Sequence, residues 1–243
     1  MNLKEYLIVA LDTSSEKEAL NLVKELKDEV SFFKIGLELF TAGGPNVVKE
    51  IKNLGCKIFL DGKFLDIPNT VSKAVSNIVK LKVDMLNVHL TGGLKMLEEA
   101  KNALMETAKE INIEPPKLIG VTVLTSINEG ILKDDLQINA QLSDYVLHRA
   151  KLAKEAGLDG IVCSPKEASV IRKETGKDFL IVTPGVRPSW AEKNDQQRVS
   201  TPGEAIKNGA SYIVVGRPIT AAKDPRDAVK RILDEIGDVK CKM

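Results

Sequence analysis

Cysteine, histidine and arginine are all scarce in this chain. Cys56, Cys163 and Cys241 are an odd, scattered set without C-x-x-C spacing, which argues against a disulfide framework and leads us to expect a reduced, cytoplasmic protein. His89 and His148 stand far apart with no H-E-x-x-H pattern, so a metal site would have to rest on carboxylates. Long apolar runs are missing too. None approaches the roughly 18 residues of a membrane span, and "MNLKEY" passes straight into the apolar "LIVALD" with no signal-peptide pattern. Neither sign of charge is in excess: 35 Lys and Arg face 34 Asp and Glu, a formal net charge of +1. That balance offers no basic field to nucleic acid and no acidic bias toward disorder. Only seven of the cations are arginines. The guanidinium fork is the better phosphate ligand, so the positions of those seven carry information.

What the chain does have is a core. Of 243 residues, 43% are hydrophobic, enough for one large α/β domain. Apolar runs recur at 6–11, 31–36, 57–61, 84–90, 117–124, 159–163, 178–183 and 211–216. They are apolar almost throughout, as strands covered on both faces of a parallel sheet must be. Between them lie amphipathic segments. "SEKEALNLVKELKDE" puts Ala19, Leu22, Val23 and Leu26 on one stripe, and Gly55, Gly157 and Gly209 follow helical segments as C-terminal stops. Eight strand–helix units predict a (β/α)8 TIM barrel, a single domain spanning residues 1–243. The rival doubly wound sheet wants a G-x-G-x-x-G after its first strand, where this chain has "ALDTSSEKEAL". The long polar stretch from Pro184 to Gln197 reads as a functional loop.

Sites in such barrels gather at the C-terminal strand ends. There the sequence places Asp12, Lys34, Asp61 with Lys63, Thr125 with Ser126, Arg187, and Gly216 with Arg217. The two-residue strand period puts Tyr6, Ile8, Ala10 and Asp12 on one face, and Phe59 and Asp61 on another. Lys63 shares that second face if the chain stays extended through Gly62. With those faces inward, Asp12, Lys34, Asp61 and Lys63 converge on the barrel axis. Plainer readings exist: Asp12 and Asp66 could cap the helices that follow them, His89 reads best as a hydrogen-bonded core histidine, and Lys34 and Asp61 could form a structural ion pair. Lys34 must have some partner, because an unpaired charge inside an apolar strand is costly. "VVGRPIT" has the form strand–Gly–Arg–Pro–helix. A glycine there admits an anion close to the backbone, and a helix N-terminus attracts it.

Taken together, these residues resemble the orotidine 5′-phosphate decarboxylase family, in its bacterial-type branch. Asp61-x-Lys63-x-x-Asp66-Ile67-Pro68-x-Thr70 matches that family's D-x-K-x-x-D-I-P-x-T motif, and "FKIGLELF", "NVHLTGG", "VTVLTS", "TPGVRP" and "VGRPIT" match in order along nearly the whole chain. The resemblance implies decarboxylation of orotidine 5′-monophosphate to UMP, with no cofactor and no metal. It makes Lys63 the proton donor, sets Asp61 beside the substrate carboxylate, has Lys34 hold Asp61 and touch the ribose, and has Asp12 touch the ribose as well. Thr125 and Ser126 would meet the pyrimidine and neighbouring groups. Pro184, Arg187, Gln196, Gly216 and Arg217 would line the substrate site, the last four at the phosphate. It also implies a homodimer in which Asp66, Ile67 and Thr70 complete the neighbouring subunit's site.

The chemistry explains why so many charges are needed. Loss of CO2 from C6 of orotate leaves an electron pair that the ring delocalises poorly, and most decarboxylases use a cofactor as electron sink. One ammonium about 3–4 Å away supplies about 4 kcal/mol at an effective dielectric near 20, whereas enzymes supply about 8–23 kcal/mol. A preorganised set of charges, with energy drawn from a bound phosphate and a closing loop, must provide the rest. Sugar-phosphate decarboxylases and aldolases that share the barrel use Mg2+ and an acidic residue where this chain has Lys34. A non-catalytic phosphate binder would explain Gly216 and Arg217 but not the Lys34, Asp61, Lys63 and Asp66 set.

Overall fold

A computed structural model of the chain describes residues 3–191 and 200–241. Eight parallel strands close into a barrel in sequence order: β1 (Leu7–Ala10), β2 (Phe32–Ile35), β3 (Lys57–Phe64), β4 (Met85–His89), β5 (Lys117–Val121), β6 (Gly160–Val162), β7 (Leu180–Thr183) and β8 (Tyr212–Val215). Seven of the expected apolar runs contain one of them, and β3 begins with the run at 57–61 and continues three residues past it. The helices are α1 (Glu16–Leu26), α2 (Leu37–Asn53), α3 (Pro68–Val79), α4 (Gly93–Glu110), α5 (Leu142–Glu155), α6 (Ala168–Thr175), α7 (Pro202–Lys207), α8 (Arg217–Thr220) and α9 (Pro225–Lys240). This is the (β/α)8 architecture that the strand–helix alternation predicts. Among the described residues no helix is long and apolar enough to cross a membrane.

Two apolar layers hold the barrel. The inner one is filled by alternate strand residues, among them Ile8, Phe32, Phe59, Met85, Ile119 and Val214. The outer one packs the opposite strand faces against the helices, and Ala19, Val23 and Leu26 of α1 are buried in it as the helical stripe predicts. Tyr6 differs from expectation. It ends a 3-10 turn, Leu3–Tyr6, ahead of β1, and packs on the outer layer under the Lys240 ammonium. The chain is still turning there, so the strand period has not begun. β5 stops at Val121, short of the apolar run that predicted it; the Thr122 amide makes one more bond to the Val162 carbonyl at 3.2 Å, and the Thr122 hydroxyl donates to the same oxygen at 2.9 Å.

At the N-terminal end of the barrel one device appears three times. The residue before an even-numbered strand accepts hydrogen bonds from the preceding strand and from a cation on the helix that leads into that preceding strand. Asp84 Oδ2 accepts from Ile58 N–H at 2.7 Å and Lys52 Nζ at 2.7 Å. Asp159 Oδ2 accepts from Leu118 N–H at 2.9 Å and Lys101 Nζ at 2.7 Å. Ser211 Oγ accepts from Ile181 N–H at 3.1 Å and an Arg172 amine at 3.0 Å. These contacts tie helix to strand and set strand register at the end opposite the cavity described next.

Candidate active site

A cavity of about 230 Å³ opens at the C-terminal ends of the strands. Its polar wall includes Asp12, Lys34, Asp61, Lys63 and Thr125, and its rim includes Pro184, Arg187, Gly216 and Arg217. Phe59, one turn of the pleat below Asp61, belongs to the same wall. The faces of β1, β2 and β3 therefore bring the predicted charges together.

The charges form a continuous line. Lys34 Nζ lies 3.2 Å from Asp12 Oδ1 and 3.4 Å from Asp61 Oδ2, and Lys63 Nζ lies 2.7 Å from Asp61 Oδ1. Lys34 is 9% exposed, and two carboxylates compensate its burial. Burial pushes the Asp61 carboxyl up, but the Lys34 and Lys63 charges, with hydrogen bonds from Lys63 and Asn87, outweigh it and hold the group below the usual carboxylate range. Asp12 caps nothing. Ser15 is the N-cap of α1 and accepts from Glu18 N–H. Nor is Lys34–Asp61 an isolated structural pair, since both residues belong to the longer line.

Lys63 does not sit on an extended strand as expected. Its φ is +48°, in the left-handed region, and β3 slips against β4 between Leu60 and Phe64. Gly62 permits the bend, because a Cβ there would lie 2.8 Å from the Phe64 ring. Lys63 N–H donates to Asn87 Oδ1 at 2.7 Å, and Asn87 Nδ2 donates to Asp61 Oδ1 at 2.7 Å. Asn87 is fully buried, and sequence reasoning missed it. An amide inside the apolar run "DMLNVHL" was the available signal, by the same argument that singled out Lys34.

Other expected residues lie elsewhere. Asp66, Ile67 and Thr70 are exposed and outside the cavity wall. Asp66 Oδ1 accepts from the next amide, Ile67 N–H, at 2.6 Å, while α3 has Ile67 as its N-cap with no side-chain cap. Ser126 is exposed and does not reach the wall that Thr125 lines. Gln196 lies outside the described residues, as does much of the expected functional loop from 184 to 197. On the near side of that loop Val186 bridges Ser200, Arg187 N–H donates to the Ser200 carbonyl at 3.0 Å, and the Arg231 guanidinium lies 4.2 Å above the Trp190 ring. Arg187 itself is buried.

At the rim, a Cβ on Gly216 would come within 3.0 Å of Asp12 Oδ2, so glycine is what lets β8 close against β1 there. α8 is four residues long, too short for a full macrodipole. Any anion there would depend on backbone amides and arginine rather than on the helix. His89 is hydrogen-bonded as expected, with Thr91 Oγ1 2.8 Å from Nδ1, but it is half-buried at the end of β4 and not a core residue. Burial, then the charges of Arg149 and Lys63, keep it below the usual imidazole range. Among the described residues no three His, Cys, Asp or Glu side chains gather as metal ligands would.

Known proteins are similar to this one over almost the whole chain. A family profile described as "Orotidine 5'-phosphate decarboxylase / HUMPS family" matches residues 5–232. An orotidine 5'-phosphate decarboxylase of Moorella thermoacetica is 48% identical over 240 residues, covering 99% of this chain and 95% of the relative. One from Nostoc sp. is 48% identical over 233 residues, covering 96% and 98%. The crystal structure of orotidine 5'-phosphate decarboxylase from Lactobacillus acidophilus superposes with a TM-score of 0.85 at 40% identity, covering 96% of this chain and 99% of that one. Barrel, strand-end charges and near full-length similarity agree, and the chain belongs to the orotidine 5'-phosphate decarboxylase / HUMPS family.

Proposed function

We propose that the chain removes CO2 from orotidine 5′-monophosphate with its own charges, and that Lys63 protonates the C6 carbanion. The coarser statement needs no proposal: the chain is a carboxy-lyase acting in pyrimidine biosynthesis, on the strength of its family and its near full-length relatives. The observation that carries the finer reading is the line Asp12–Lys34–Asp61–Lys63 on the cavity wall.

In this reading the pyrimidine sits over Lys63 with its carboxylate near Asp61. Two negative groups side by side are unfavourable in the bound substrate, and the repulsion is relieved as CO2 leaves. The Lys63 ammonium, held 2.7 Å from Asp61, stabilises the developing lone pair and then transfers its proton to C6, giving UMP. The charges are fixed before the substrate arrives, so little reorganisation accompanies the step. Lys34 keeps Asp61 in place, and Asp12 and Lys34 take the ribose. Thr125 contacts the base, with Pro184 on the same wall. Arg187, Gln196, Gly216 and Arg217 hold the phosphate.

The active unit in this reading is a homodimer. Among the described residues Asp66 makes only a local bond, to the next amide, while Leu65 and Ile67, its neighbours, are 54% and 66% exposed. A second copy covering those apolar side chains brings Asp66, Ile67 and Thr70 to its own site. The test is direct. Purified protein in EDTA is given orotidine 5′-monophosphate, and the loss of substrate absorbance is followed together with molecular mass by light scattering. Turnover by a dimer is expected. No turnover, turnover abolished by the chelator, or a fully active monomer would each contradict a stated part of the reading.

A further inference from the structure

The β3–β4 seam carries a feature that the line of charges does not explain. Phe59 pairs with Met85 and Leu60 with Leu86, but the next pairing is Phe64 with Val88. From there β3 advances four residues while β4 advances two, so two extra residues are accommodated on β3 beside Asp61 and Lys63. The slip removes the regular backbone partners of the bulged residues, and a buried amide left without a partner is costly. The Lys63 amide is nevertheless satisfied, by a side chain: Asn87 Oδ1 accepts it at 2.7 Å. The other half of the same carboxamide, Nδ2, donates to Asp61 Oδ1 at 2.7 Å, the oxygen that also accepts from Lys63 Nζ at 2.7 Å.

Asn87 is fully buried in a strand whose neighbouring side chains are apolar. It is therefore held rigidly, and it in turn holds both members of the pair. One contact fixes the left-handed backbone from which the Lys63 side chain rises. The other fixes which oxygen of Asp61 faces the ammonium, leaving the second oxygen to Lys34. We propose that Asn87 is a positioning residue, whose carboxamide sets the mutual geometry of Asp61 and Lys63 at the reacting carbon without touching substrate. The inference rests on the decarboxylase reading of the cavity. Its donated hydrogen bond also helps keep the Asp61 carboxyl low, which supplies a second observable.

Two variants separate positioning from simple filling of the core. Asn87→Ala loses both bonds. Asn87→Asp keeps shape and the acceptor for Lys63 N–H, but replaces the donor to Asp61 with a like charge. In Asn87→Ala, kcat on orotidine 5′-monophosphate falls about 10²-fold, the loss expected of a displacement near 1 Å, while KM stays within about threefold. In Asn87→Asp the buried like charge lowers the melting temperature, kcat falls to a similar degree, and the acid limb of the kcat profile moves to higher pH. Wild-type kcat and an unmoved acid limb in a folded Asn87→Asp would overturn the inference. So would failure of both variants to fold, which assigns Asn87 to folding alone. The same assay on the unmodified chain keeps the two ideas apart: if that chain releases no CO2, the decarboxylase reading falls, whereas an active chain with unaffected variants removes only the role of Asn87.

Discussion

Replacing Lys34 with Met keeps the aliphatic stem and removes the charge between two carboxylates. The structure sets the size of the effect. The ammonium is 3.4 Å from Asp61, whose side chain is 14% exposed, and 3.2 Å from Asp12, whose side chain is 51% exposed. The Asp12 contact faces water and is worth about 1 kcal/mol or less. The Asp61 contact is buried, and breaking such a pair from one side costs about 3–5 kcal/mol. If that loss falls on the transition state, kcat/KM drops about 10²- to 10⁴-fold, since each 1.36 kcal/mol is a factor of ten. The Asp61 carboxyl, held low chiefly by Lys34 against its burial, rises, so the acid limb of the rate profile moves up in pH. The assay is kcat/KM on orotidine 5′-monophosphate across the acid range, with a melting curve for each protein to confirm folding. A folded Lys34→Met enzyme within threefold of wild type, with its acid limb unmoved, would refute the reasoning.

Three further outcomes are expected. Arg217→Ala raises KM for orotidine 5′-monophosphate at least tenfold while leaving turnover of the phosphate-free nucleoside orotidine as it was; an unchanged KM counts against a phosphate contact. Asp84→Ala breaks two hydrogen bonds to Ile58 N–H and Lys52 at the far end of the barrel, so calorimetry should show a stability loss of about 1.5–3 kcal/mol and a melting temperature lower by roughly 3–12 °C, with kcat unaltered; an unshifted melting curve would show that the contact does not set stability. Asp61 has a folded-state carboxyl below its ordinary value, so its contribution to stability is complete above about pH 3.9 and is lost as pH falls through the lower folded value. The urea-denaturation difference between wild type and Asp61→Asn should therefore shrink in acid, and a difference equal at pH 7 and pH 3 contradicts that.

Much of this molecule is legible in its sequence because burial on both faces leaves little freedom. The eight strands read as apolar runs, and Lys34 stands out because a cation has no place in such a run unless it is paired. The D-x-K-x-x-D-I-P-x-T segment locates the site before any coordinates are seen. What cannot be read is geometry set by partners remote in sequence. The left-handed turn at Lys63 depends on a register slip against β4 and on Asn87, 24 residues away, and no local pattern announces it. The exposure of Asp66, Ile67 and Thr70 has no meaning within one chain and acquires one only if a second copy covers them.

The measurement closest to the central claim is the turnover of Lys63→Ala, with UMP affinity measured on the same protein. If a preset line of charges carries out the chemistry and Lys63 delivers the proton, kcat falls by at least about 10⁴-fold, because electrostatic stabilisation and general-acid catalysis are lost together, while UMP still binds within about tenfold of wild type. A variant that binds UMP normally and still decarboxylates within tenfold of the wild-type rate would contradict the account.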